Sequence, residues 1–151
     1  MGLYQRDFIL RMIEAVGATL RRALRRREEG DYAGARQDIA FTVGEILGPS
    51  AGMVPMVDSS TAAYLVSDPG RLALYAQLLE TDAELLDAMG QGARAAATRK
   101  RALELLLEVV LRHTELPDET IDQTRALRGR VDTATLSARY QGVVLPDVAT
   151  G

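Results

Sequence analysis

Few residues in this chain have the types and spacing that chemistry needs. Gly48-Pro49-Ser50-Ala51-Gly52 has the G-x-S-x-G spacing of a hydrolase nucleophile elbow, in which a strained turn presents a serine hydroxyl to a histidine base. The only histidine is His113, so a hydrolase using Ser50 and His113 is the one catalytic reading. Its context argues against it. An elbow has a strand before the serine and a helix after it, whereas here the apolar positions before Gly48 repeat at helical steps and the segment after them is interrupted by Pro49 and Pro55. The expectation is a non-enzymatic chain in which Ser50 occupies an ordinary inter-helix loop. His113 lacks the carboxylate company and Glu-x-x-His spacing of helical-bundle metal sites, and cysteine is absent, which removes thiolate ligands and disulfides together. No metal and no cofactor are expected. His113 reads instead as a group near a helix C-terminus, which favours a cation.

Two charge patterns remain. Arg21, Arg22, Arg25, Arg26 and Arg27 form the densest basic cluster, and helical spacing pairs Arg21 with Arg25 and Arg22 with Arg26. Glu28 and Glu29 come immediately after, no aromatic side chain interleaves for base stacking, and the formal net charge is −3. Nucleic acid is therefore not an expected partner. Glu80, Glu84 and Asp87 stand at i, i+4 and i+7, with Asp82 nearby and no basic residue between Arg71 and Arg94. This acidic stripe is either a solvated helix face or a surface for a basic protein partner.

The elements that must carry these residues are helices. From Gln5 to Glu29, Ile9, Met12, Ile13, Val16, Leu20 and Leu24 recur at helical spacing, and Gly30 supplies the stop. Asp31 caps a second helix to Leu47, and the short turn between the two imposes an antiparallel hairpin. Gly34 and Gly44 inside this helix, and Gly17 inside the first, predict close approach of a neighbouring helix, which would offset their cost of about 1 kcal/mol each relative to alanine. Gly48 to Val57 cannot be a regular helix, and its apolar stretch from Met53 either folds onto the core or stays exposed as an anchor for a partner. Asp58 or Ser59 opens a short helix ending near Val66. Asp68-Pro69 starts a long one reaching Met89. After the Gly90-Gln91-Gly92 turn, Ala93 to His113 is apolar on two sides. Ala95, Thr98, Ala102, Leu105, Leu106 and Val109 form one stripe, and Leu103, Leu107 and Val110 form a second. So wide an apolar circumference implies a helix sandwiched centrally or a subunit interface, which makes the second stripe a core or homodimer face. Asp118 to Leu127 and, more weakly, Thr133 to Gln141 complete an all-α domain over residues 1–142, with 143–151 expected to be a loose tail.

The two hairpins correspond at an offset of sixty, pairing Ala23 with Ala83, Gly30 with Gly90, Ala35 with Ala95 and Thr42 with Ala102. Small residues around a glycine turn permit two helices to cross closely. This pattern, in "EEGDYAGA" from Glu28 to Ala35 and "AMGQGARAAATRKRALEL" from Ala88 to Leu105, resembles the tetratricopeptide (TPR) repeat. The opening "YQRDFILRMIE", Tyr4 to Glu14, is similar to the start of a bacterial family of small TPR-like proteins with no assigned function. The resemblance implies a compact TPR-like bundle of two helix pairs, a short linking helix and one or two C-terminal helices. By the same resemblance Gln77, Glu80, Glu84 and Asp87 line the concave, ligand-facing surface. The first unit completes that groove poorly, because its equivalents include Leu20 and Leu24. The spacer Gly48 to Ser67 and the missing third unit depart from a regular array.

The leading expectation for function is a cytoplasmic, non-catalytic protein-interaction or scaffolding module with an unknown protein partner, with homodimerisation as a second way to cover apolar surface. Small-molecule or lipid binding between the helices is the alternative. The N-terminal segment has no signal-peptide pattern, and no stretch is apolar enough for a membrane span.

Overall fold

The structure is a computed structural model and describes residues 3–148. It contains seven α-helices, and there is no strand among the described residues. Helix α1 (Leu3–Glu28) and α2 (Tyr32–Leu47) form the first hairpin, followed by 3-10 turns at Gly48–Ser50 and Val54–Met56. Helix α3 (Ser59–Val66) leads to the second hairpin, α4 (Pro69–Ala88) and α5 (Gly92–Arg112). The chain finishes with α6 (Asp118–Arg128), a 3-10 turn at Thr133–Thr135 and the single-turn α7 (Ala138–Gln141). No helix among the described residues is long and apolar enough to cross a membrane.

The helix starts are set by local chemistry. Asp31, Asp58 and Asp68 each accept backbone N–H groups at the first turns of α2, α3 and α4, satisfying donors that a helix N-terminus leaves unpaired. Gly30 and Gly90, sixty apart, both have positive φ (79° and 76°), and the backbone N–H of the next residue bonds back to the preceding helix, from Asp31 to Arg26 and from Gln91 to Leu86. These reversals fold each hairpin antiparallel. In the first, a buried hydrogen bond of 2.6 Å joins Thr19 and Thr42, two residues nearly equidistant from the turn. The Arg36 guanidinium holds both carboxylate oxygens of Asp82, at 2.7 and 3.2 Å, and so ties α2 to α4.

The interior glycines answer to something other than close helix packing. A Cβ on Gly34 would strike the Asp31 carboxylate at 2.2 Å, so this glycine makes room for the capping group rather than for a neighbouring helix. A Cβ on Gly44 would meet nothing within 4 Å, and one on Gly17 only the flexible end of Arg21. The expected close approach is absent at all three.

Helix α5 lies centrally. One face, with Leu105 and Val109, joins α1, α2, α3 and α4 in a core containing Val16, Ile39, Ile46, Leu72, Leu78 and Leu85. Its other face, with Leu103, Leu106 and Leu107, packs in a second core with Leu127, Leu136, Tyr140 and Leu145. The second stripe therefore resolves as core: Leu103 and Leu107 have no exposed surface, and Val110 is partly buried against them. The cover comes from α6, α7 and the segment after them. The tail expectation changes accordingly. Residues 143–148 form no helix but pack through Leu145, which is buried, and Arg128 and Arg125 donate to the carbonyls of Val143 and Pro146. The rest of that expected tail, 149–151, lies outside the described residues. In the loop after α2, Val54 is buried while Met53 and Met56 are exposed, so only part of this apolar stretch reaches the core.

Between the two cores α5 carries a charge. The Glu108 side chain is wholly buried, yet it accepts from Arg112 at 3.0 Å and from two nitrogens of Arg139 at 2.5 and 2.9 Å. Arg112 also donates to the Ser60 carbonyl and hydroxyl on α3. Nearer the start of α5, Arg101 holds the Ser59 hydroxyl and the Val54 carbonyl, and Ser59 in turn donates to Glu104. Burial alone would raise the Glu108 carboxyl, but the hydrogen bonds from Arg139, Tyr140 and Arg112 outweigh it and bring the group from 4.5 down to about 2.

Two outcomes are expected. Gly44→Ala should stabilise the fold by about 0.5–1 kcal/mol in urea denaturation, because it adds helix propensity in open space. A carboxyl whose folded pKa is depressed stabilises above its unfolded pKa and loses that contribution as pH falls through the folded one. Thermal melts should therefore show the stability advantage of wild type over Glu108→Gln shrinking from pH 4.5 towards pH 2. An advantage that stays constant over this range would refute the ionised, doubly held Glu108.

Candidate binding groove

The surface feature with the most organised lining is a groove along α4, walled by α1 on one side and α6 on the other. Its first stretch, about 490 Å3, is lined by Ile9 and Ile13 of α1, Ala73 and Leu74 of α4, and Pro117 and Thr120 at the start of α6. Gln77, Glu119 and Gln123 belong to this stretch and to the next, where Glu80, Thr81 and Glu84 join them. Thr81 and Glu84 continue into a third stretch with Leu20, Ala23, Leu24, Arg27 and Leu85. Shared side chains make the three depressions continuous.

Local helical geometry explains the lining. On α1, Ile9, Ile13, Leu20 and Leu24 share one face, and the sequence pattern assigns them to the same stripe as the core residues Met12 and Val16. That stripe is too wide for one interface. Met12 and Val16 are buried, while Ile13 and Leu24 are 48% and 57% exposed and form the rim of the groove. On α4, Gly70, Ala73, Leu74, Gln77, Glu80, Thr81 and Glu84 run along the floor in steps of three and four.

The α1 wall is apolar and the opposite side is acidic. Glu80 accepts from the Gln123 amide at 3.1 Å, and the same amide nitrogen donates to the Ala73 carbonyl at 3.3 Å, which anchors α6 to α4. Burial pushes the Glu80 carboxyl above its ordinary range, with the Gln123 hydrogen bond and the nearby Arg130 working against that shift. Glu84 lies 3.5 Å from Arg130 and 3.8 Å from Arg27, exposed pairs too long to contribute much. Glu119 is exposed and has no salt-bridge partner among the described residues. No basic side chain lines the middle stretch.

Of the residues that the sequence singled out, Gln77, Glu80 and Glu84 meet in this groove and Asp87 does not. Three residues beyond Glu84, Asp87 turns towards α5 and pairs with Arg99. Leu20 and Leu24, expected to leave the groove incomplete, supply its apolar wall. The contributions of Ile9, Ile13, Pro117, Glu119 and Gln123 were missed. The signal for the first two was the surplus width of the α1 stripe, and no local signal says that α6 packs beside α4.

The remaining candidates lie elsewhere. Ser50 ends the 3-10 turn after α2 with no strand before it, and His113 caps α5 in extended conformation. In the arginine cluster, Arg26 is held by Asp38 and Asp31 at 2.7 and 2.9 Å, and Asp38 also lies 4.0 Å from Arg22. Among the described residues no group of three or more His, Cys, Asp or Glu side chains is placed to hold a metal.

No protein-family model, no curated protein and no solved structure matches this chain.

Proposed function

We propose that the chain is a non-catalytic interaction module that receives a segment of a protein partner in the α1–α4–α6 groove. The observation that carries this reading is the division of the groove between aliphatic side chains of α1, which line its two end stretches, and carboxylates of α4 and α6, which line its middle. Half-exposed aliphatic residues beside carboxylates of which Glu119 has no ion-pair partner among the described residues and Glu84 only long ones are a poor solution for a free surface and a good one for a bound amphipathic chain. Ile13 and Ala73 line one stretch and Leu24 and Glu84 another, so positions sixty apart in the two hairpins face the same channel.

A photo-crosslinking amino acid in place of Ile13 or Leu24 tests the reading in the cells from which the chain comes, with the same group in place of Tyr64, exposed on α3, as the control. Discrete heterologous adducts are expected from positions 13 and 24, absent from 64 and lost when Glu80 and Glu119 are both changed to lysine. Adducts of equal pattern from all three positions would overturn the groove. An adduct of twice the chain's own mass from 13 and 24 would replace the heterologous partner by a second copy.

A further inference from the structure

Resting on the groove reading, we infer that the occupant is an α-helix of about four turns from a protein partner, with aliphatic side chains along one edge and lysine or arginine along the adjoining edge.

The length comes from α1. Ile9 and Leu24 mark the two ends of the apolar wall, and fifteen residues at the helical rise span roughly 22 Å, which a helix of about 15 residues matches. The helical state of the occupant is dictated by the groups that the walls lack. All three are helices whose backbone groups, apart from the first N–H groups of α6, are spent internally, so the groove has no strand edge to pair with an extended chain. Its side-chain amides are few, and that of Gln123 is already committed to Glu80 and Ala73. An extended segment pressed against Ile9, Ile13, Leu20 and Leu24 would bury peptide groups without partners, at a cost of about 1–3 kcal/mol each. A helix brings its backbone hydrogen bonds with it.

The sign of the charge comes from the middle stretch. Glu80, Glu84 and Glu119 converge there with no basic residue in the lining, and Arg130 and Arg27 reach only Glu84, through long exposed contacts. Glu80 has already lost part of its hydration, and Gln123 returns a single hydrogen bond to it. A lysine or arginine reaching across from a docked helix restores charge compensation to a carboxylate whose desolvation is already complete in part, so this pairing carries less of the usual penalty. An acidic segment would meet three carboxylates. The two walls also fix where the edges of the occupant lie: aliphatic side chains turn to α1, and basic ones to α4 and α6.

A phage-displayed library of random segments of about 16 residues, selected on the intact chain, tests this without a partner in hand. Recovered binders should share an aliphatic repeat at three- and four-residue steps with flanking Lys or Arg. As synthetic peptides they should gain helicity by circular dichroism on binding, and they should weaken roughly tenfold or more against Glu80→Lys with Glu119→Lys. Glu80→Gln with Glu119→Gln, which keeps the shape of the groove, should weaken them in the same direction with unchanged melting of the chain. Binders that lose affinity on Ile13→Asp or Leu24→Asp but are proline-rich, acidic or unstructured when bound would overturn the basic-helix occupant and leave the groove standing. Binders indifferent to Ile13→Asp and Leu24→Asp, or no binders at all, would overturn the groove itself.

Discussion

The arrangement of the whole molecule depends on a carboxylate that has no contact with water. Glu108 sits between two hydrophobic cores on the central helix α5, and an ionised group there is tolerable only while the guanidiniums of Arg112 and Arg139 remain on it. That requirement reaches far along the chain. Arg139 comes from the C-terminal α7, so the segment that covers Leu103 and Leu107 is fastened by charge as well as by apolar contact. Arg112 reaches across to Ser60 and so fixes α3 against the far side of α5. One buried charge thus links three elements that no tight turn connects.

The second organising constraint is the hairpin. Gly30 and Gly90 reverse the chain in the same conformation, and the aspartate caps of α2, α3 and α4 set where each helix begins. Because α1 and α4 are both the first helices of hairpins, each packed on the second helix of its own pair, their outward faces end up side by side. With α6 added, a channel results whose floor comes from α4 and whose walls differ in character. The channel is a by-product of hairpin packing, and its chemistry is a property of the residues on it.

The all-α class and the boundaries of the first six helices to within a residue or two were legible in the sequence, because they rest on local signals: capping aspartates, turn glycines and the 3.6-residue period. The last helix, expected from Thr133, begins only at Ala138 after a 3-10 turn, and the wide apolar circumference of α5 left a central place and a subunit interface both open. Gln77, Glu80 and Glu84, which line the groove, were singled out by their spacing on α4 and by the resemblance counted from the Gly90 turn. The features that were not legible depend on tertiary packing. Nothing local distinguishes Ile13, on the rim, from Met12, in the core. Leu103 and Leu107 read equally as core or dimer face until α7 and Leu145 are seen to cover them. The interior glycines were misread because their cost suggested a helix neighbour, when Gly34 accommodates its own capping carboxylate and Gly44 faces open space. Glu108 carried a signal that passed unnoticed, as a single acid inside the apolar run from Leu105 to Val110.

The buried hydroxyl pair of Thr19 and Thr42 has a mechanical consequence. Sliding α1 along α2 by one turn would strand both hydroxyls in an apolar interior, so the first hairpin is locked in register and the α1 wall is stiff. On the facing side, α6 meets the floor of α4 through the Gln123 amide, and the turn after it adds the long contact between Arg130 and Glu84. The apolar side of the channel is therefore the one whose register is fixed by a buried polar pair, and on the reading proposed above it is the side against which an occupant would be measured.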